Sequence, residues 1–361
     1  MSAWAERAER VAALVAERGL DLLLVSNVVN IRYLTGFTGT NAAVLIAAGR
    51  CAFLTDFRYV ERAEREITDY DVVRGRDDLL ETVADLARQW NARRLGFDDA
   101  HMTVRAHAML CGHLGDDVEP VPASGIVEQL RAVKDAGEIE AIRRSTSLGD
   151  EVYRWLISDF GLVGHTEREV ALALELRAKE LGADGLSFPA IVAAADNGAL
   201  PHAEPRPAPE IPRDTFVVVD FGVLQDSYCS DCTRTFATGE LEDEARECYE
   251  LVRSAQAAAL AAVRGGMEER AVDAVARELI AGAGRAEQFG HGLGHGVGLE
   301  IHEAPRLAPS AGGMLEAGNV VTVEPGIYVA GRFGVRIEDL VVVGATGPEV
   351  LTTIPKDLIT V

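Results

Sequence analysis

Four carboxylates stand inside runs of apolar, β-branched residues, where a folded chain rarely tolerates charge. Asp220 follows Val217–Val219 in "TFVVVDFGV". Asp231 lies between Cys229 and Cys232 in "YCSDCTRTF". Glu324 follows "VVTV", and Glu338 sits within "VRIEDLVVV". An ionised carboxylate buried alone is strongly disfavoured; it pairs with a cation, binds a metal or takes up a proton. Any one of the four reads equally well as a side chain pointing outward from its strand. Four in such runs, close to a histidine-rich loop, read as a set. They demand a fold in which separate β segments bring their acidic residues to one place.

That loop is "GHGLGHGVGLEIHEAP", residues 290–305, with His291, His295 and His302. Its glycines make it poor helix material and let backbone approach a bound ion closely. His291 and His295 have the interval of the H-E-x-x-H zinc motif. Gly292, Leu293 and Gly294 lie between them, however, and supply neither the helix nor the glutamate that motif needs. Four carboxylates with one or two imidazoles form an oxygen-rich donor set. One divalent ion would leave excess negative charge, whereas two offset four carboxylates and leave room for a bridging hydroxide. Paired ions about 3.5–4 Å apart serve hydrolysis by holding the nucleophile and the developing oxyanion together. Manganese suits such ligands, with cobalt or zinc as alternatives. These residues imply a dinuclear metallohydrolase.

The rest of the chain sets bounds. Its 361 residues suit two domains. A formal net charge of -22 argues against nucleic acid or an anionic membrane as partner, because both would repel it. The N-terminal "MSAWAERAERVAALVAERGLD" is charged and amphipathic, without the apolar core of a secretory signal, and no run is long enough for a membrane span. Five cysteines make a disulfide framework unexpected. The expectation is a cytoplasmic protein. Cys229 and Cys232 read as small residues in a strand rather than as a redox pair or half a zinc site, since positions three apart face opposite ways.

Residues 3–18 have helical spacing and stop at Gly19. "DLLLVS", "AAVLIAA", "CAFLTDF" and "RRLGFDD" read as strands, alternating with helical "YVERAERE" and "DLLETVADLARQWN". Residues 127–160 read as a long charged helix, and the domain boundary falls near its start. Thr166 and Glu169 form a capping box for the helix after it. "TFVVVDFGV" and "YCSDCTRTFAT" read as one hairpin, "NVVTVEPGIYV" and "FGVRIEDLVVVG" as another, and each is preceded by helices, which hints at an internal duplication.

With these residues assembled, the chain resembles the metal-dependent Xaa-Pro peptidases, the prolidase and aminopeptidase P group with the pita-bread fold. "NIRYLTGFTG" and "LTDFRY" resemble the group's N-terminal domain. "FPAIVAAADNGALPHAEP", "VVVDFG", "YCSDCTRTF", "GHGLGHGVGLEIHEAP", "VVTVEPGIYV" and "GVRIED" resemble, in order, its catalytic domain. The resemblance implies a creatinase-like α/β N-terminal domain over residues 1–131. An α+β pita-bread catalytic domain with internal pseudo-symmetry would follow over residues 132–361.

Carried over by motif, the family's metal ligands fall on Asp220, Asp231, His295, Glu324 and Glu338. Asp220 would serve one ion, Asp231 and Glu338 would bridge both, and His295 and Glu324 would complete the other ion's shell. His302 matches a histidine that contacts substrate and tetrahedral intermediate. His291 matches one lining the substrate pocket, and His202, in "LPHAEP", one near the scissile bond. Arg336 matches an arginine that orients carboxylates in the substrate site, and Tyr228 a tyrosine to which no role is given. The implied reaction is hydrolysis of the bond between an N-terminal residue and proline, in dipeptides or longer peptides, by a metal-bridging hydroxide. Glu324 would take the proton, His302 would stabilise the oxyanion and His202 would help proline leave. Capture of a dipeptide's carboxylate would fall to Arg58, Arg336 or a loop of a partner subunit. The resemblance also implies a homodimer or tetramer. The alternatives are a methionine-aminopeptidase-like enzyme, which normally lacks the N-terminal domain, and a non-catalytic pita-bread peptide-binding protein, which would have lost ligands. Val223 stands where an alanine is usual, and the two cysteines flanking Ser230–Asp231 are also particular to this chain; neither departure removes a ligand.

Overall fold

Ser2 opens the first helix, Ala3–Glu17, by accepting a hydrogen bond from the backbone of Ala5, and Gly19, at φ +66°, turns the chain out of it. The computed structural model describes residues 2–361 and divides into two compact units, Met1–Arg131 and Ala132–Val361. The first is a six-stranded mixed sheet flanked by helices. Its strands run in the order Asp71–Arg74, Arg50–Thr55, Ala42–Ala47, Leu22–Val25, Arg94–Phe97 and Glu119–Pro122. Leu22–Val25 pairs antiparallel with Ala42–Ala47 and parallel with Arg94–Phe97. Leu22, Leu24, Leu45, Leu54 and Leu95 meet in its core with Val83 and Leu110 from helices.

The single long helix expected over residues 127–160 is broken where the second unit begins. Ile126–Ala132 ends, and Asp135 then caps Ala136–Trp155 in a capping box with Glu138. An Asp carboxylate gains more by bonding free amides at a helix start than by lying within a helix, so it nucleates a new one. The last turn, Leu156–Phe160, widens to a π-helix. Thr166 and Glu169 form their capping box at the head of Glu167–Glu180.

Two halves of this unit repeat one order of elements. Helices Ala136–Trp155 and Glu167–Glu180 precede strands Ile191–Ala194, Phe216–Phe221 and Cys232–Ala237. Helices Asp243–Ala262 and Glu269–Gly282 precede Gly294–Gly296, Val320–Val323 and Asp339–Val343. In each half the second strand lies in the middle and pairs antiparallel with the other two. Val217, Val219, Val321 and Val323 are wholly buried in apolar clusters. Each such side chain contributes about 1.5–3 kcal/mol, which pins these strands beneath the acidic residues they carry.

The hairpins are less continuous than the sequence suggested. Tyr228–Cys229 and Cys232–Ala237 are separate strands, interrupted at Ser230–Asp231. Breaks also fall at Glu324–Pro325 and at Ile337–Glu338. Three of the four acidic residues therefore sit where a ladder lapses, and an interruption re-aims a side chain that regular pleating would fix. Gly222 permits the first break: a Cβ there would lie 1.7 Å from the Ser230 carbonyl oxygen. Among the described residues no helix is long and apolar enough to cross a membrane.

Candidate metal centre

Asp220, Asp231, His295, Glu324 and Glu338 line one cavity of about 490 Å³ in the second unit. His202, His291, His302 and Arg336 line it as well, so the five expected ligands and these four residues reach the same place. Asp231, His295 and Glu338 each offer a donor atom within 4.8 Å of the others. His295 Nε2 is 3.5 Å from Asp231 Oδ2 and 3.4 Å from Glu324 Oε1. Its Nδ1 lies 3.0 Å from the Gly296 carbonyl, to which it donates, leaving a lone pair on Nε2. Burial pushes the His295 pKa down, so the imidazole is neutral despite the two carboxylates. A lone pair facing two carboxylate oxygens is repulsive unless a cation lies among them.

The carboxylates tell the same story. Asp220 Oδ2 accepts from Arg336 Nη2 at 2.6 Å and Glu338 Oε2 from Thr233 Oγ1 at 2.7 Å. Their other oxygens, Asp220 Oδ1 and Glu338 Oε1, are buried and have no hydrogen-bonding partner. Buried acceptors left this way cost free energy, and a metal ion removes the cost. Burial, then the neighbouring carboxylates, push the Asp231 and Glu338 carboxyls well above the usual range; burial raises Glu324 too. Without cations the cluster gathers protons; with them it is a ligand set. The donor chemistry fits divalent metal.

Several residues the sequence reading passed over hold this set. Thr233 stands two residues after Asp231 and donates to Glu338. Thr322 stands two residues before Glu324, donates to its Oε1 at 3.0 Å and accepts from the His295 backbone at 3.1 Å. Positions two apart in a regular strand share a face, but the ladder lapses at Asp231 and at Glu324, so that alternation gave only a partial signal. Tyr328 had none. Its hydroxyl accepts from Arg336 Nη1 at 2.8 Å and donates to His291 Nε2 at 2.9 Å, while His291 Nδ1 donates to the Gly292 carbonyl at 2.7 Å. Burial lowers the His291 pKa and favours this neutral form. Both His291 nitrogens are thus engaged in a chain that ends, through Arg336, on Asp220.

Arg336 is 4% exposed and also donates to Thr233 at 3.0 Å and to the Pro201 carbonyl at 3.1 Å. Its guanidinium is committed to the protein. Arg58, the other arginine considered for carboxylate capture, belongs to the first unit and pairs with Asp56 at 2.6 Å. Arg306, on the strand Glu303–Leu307, is exposed and lines the cavity. Nothing in "HEAPRL" distinguishes it from an ordinary surface charge. His302 is exposed, with its ring 4.4 Å from that of His295, and partial desolvation against the cavity wall, then His295, lowers its pKa; His202 is exposed on a loop. Cys229 and Cys232 are free and buried in different apolar clusters, and Tyr228 donates to Glu138 at 3.1 Å.

Residues 140–345 match Metallopeptidase family M24, and residues 7–133 match the Creatinase/Prolidase N-terminal domain. Bacillus subtilis YqhT, an uncharacterized peptidase, is 38% identical over 97% of this chain and 99% of its own. The solved structure of an Xaa-Pro dipeptidase from Bacillus anthracis superposes with a TM-score of 0.96 at 39% identity, covering 99% of this chain and 100% of that one. An X-Pro aminopeptidase from Thermotoga maritima superposes at 0.87 with 34% identity, over 96% and 99%. The two units are therefore a creatinase-type N-terminal domain and a pita-bread catalytic domain. The chain belongs to metallopeptidase family M24.

Proposed function

We propose that the chain is a dinuclear-metal Xaa-Pro peptidase acting on dipeptides. The observation that carries the metal reading is the pair of buried, unpartnered oxygens, Asp220 Oδ1 and Glu338 Oε1, on residues that line the same cavity as Asp231, Glu324 and His295. These five residues would hold two divalent ions, most suitably manganese. When bound, the ions lower the pKa of water and polarise the scissile carbonyl.

The chain's own residues do the rest. Glu324, which lines the cavity beside His295, takes the proton of the attacking water. His302 stands beside His295 at the mouth of the site and donates to the oxyanion. His202 serves the proline nitrogen as it leaves. Arg336 fixes Asp220, and the Tyr328–His291 chain fixes Arg336. The dipeptide preference rests on Arg306. A dipeptide carries a carboxylate beside the scissile bond, and Arg306 places an exposed guanidinium in the cavity. The likeness to an Xaa-Pro dipeptidase supports the same preference.

Turnover of an Xaa-Pro dipeptide and an Xaa-Pro-Xaa tripeptide by manganese-loaded protein tests this. The dipeptide is expected to be hydrolysed faster. Arg306→Ala should reduce its kcat/KM by about 10–100-fold, as loss of a charge-assisted contact costs about 1.5–3 kcal/mol, with little effect on the tripeptide. Faster tripeptide turnover, or equal losses on both substrates, would remove Arg306 from that role.

A further inference from the structure

The loop that carries His202 is tied down by a carboxylate from another element. Glu167, the first residue of the helix Glu167–Glu180, is 4% exposed. Its Oε1 accepts from the Ala194 backbone N–H at 2.7 Å. Its Oε2 accepts from Asn197 Nδ2 and from the Arg206 backbone N–H, both at 2.7 Å. Asn197, also buried, donates to the Glu204 carbonyl at 3.1 Å as well. The donors stand on both sides of Pro201–His202, so one buried side chain closes the neck of the loop. Three donors suit a group that only accepts; an amide in its place would turn one N–H upon another.

This loop depends on its anchors. Ala195 has φ +49°, a left-handed conformation that a Cβ disfavours, and it lies between two of the residues that Glu167 holds. His202 is exposed, so packing does little to fix it and its position follows the backbone. Asp196 and Arg206 also pair across the neck, at 3.0 Å, but both are exposed, and such pairs contribute little.

We propose that Glu167 is a positioning residue for His202, acting on the reaction only by holding that imidazole over the cavity. The inference rests on the reading of His202 as the group that serves the departing proline nitrogen.

Four manganese-loaded full-length proteins test it: wild type, H202A, E167Q and the double variant. H202A is expected to lower kcat by about 10²-fold, the usual worth of a proton-transfer group. E167Q should lower kcat by about tenfold or more, because displacing a catalytic group by about 1 Å can cost 10²-fold. Bound metal should stay at the wild-type level in both. In the H202A background E167Q should cost less than about twofold, since the group it positions is gone. An E167Q protein as active as wild type, or an equal loss in both backgrounds, overturns the proposal while leaving His202 in its role. Unchanged kcat in H202A overturns that role, and the proposal with it. If E167Q does not fold, Asn197→Ala removes one tie alone and is expected to give the same non-additive pattern.

Discussion

Replacing Asp231 with Asn is expected to abolish hydrolysis of Xaa-Pro substrates and to lower the bound metal below two ions per chain. Asp231 faces His295 at 3.5 Å and shares a donor cluster with Glu338. An amide oxygen there carries no net charge and its NH2 group repels a cation. Losing one ion removes several kcal/mol of transition-state stabilisation, at least about 10³-fold in kcat. The fold itself should not suffer. Burial, then Glu338, Asp220 and Glu324, raise the Asp231 carboxyl in the metal-free protein, so its charge opposes folding. Metal-free Asp231→Asn should therefore melt no lower than metal-free wild type at pH 8. Wild-type turnover in this variant, with metal content unchanged, would contradict the assignment; a lower melting temperature in the metal-free state would contradict the electrostatics.

Removing metal should have a second large effect, on stability. A ligand that binds only the folded chain stabilises it by about 2.7 kcal/mol at a free concentration 100-fold above its Kd. For a unit of this size that corresponds to a Tm shift of roughly 5–10 °C per ion. The pH dependence follows from the raised carboxyls of Asp231, Glu324 and Glu338. In the metal-free fold these groups keep protons that the unfolded chain has released. The stability they contribute is complete below the ordinary carboxylate pKa and is lost as pH rises through their raised folded values. Bound cations replace those protons and bind more tightly as pH rises. The gap in Tm between manganese-loaded and chelated protein should therefore widen from pH 5 to pH 8. A gap that is absent, or that narrows over this range, would show that the cluster does not hold metal in the manner described.

The acidic residues of the site were legible because burial and charge conflict in plain sight: a carboxylate among valines demands a reason. The histidines were told apart by the family resemblance and not by their spacing, since His291, His295 and His302 all line the same cavity. Reading regular hairpins through Ser230–Asp231 and Ile337–Glu338 failed because β-propensity is a property of single residues, while the interruptions depend on how closely two backbone segments approach, as at Gly222 and Ser230. The break at Asp135 could have been found, since Asp135 and Glu138 have capping-box spacing, but the charged helical periodicity on both sides masked it. Thr233 and Thr322 stand two residues from Asp231 and Glu324, but the ladder lapses at both acids, so strand alternation signalled them only in part. The Arg336–Tyr328–His291 chain and the grip of Glu167 on the His202 loop were not, because each joins residues far apart in sequence through polar atoms that carry no periodic signal. Arg306 is an exposed arginine until the cavity gives it a neighbourhood.

The central claim, that four carboxylates and one imidazole hold a pair of cations, is tested most directly by crystallography of manganese-loaded protein at the metal's absorption edge. Two anomalous peaks are expected inside the cavity lined by Asp220, Asp231, His295, Glu324 and Glu338. A single peak there, or none after loading at saturating manganese, would contradict it.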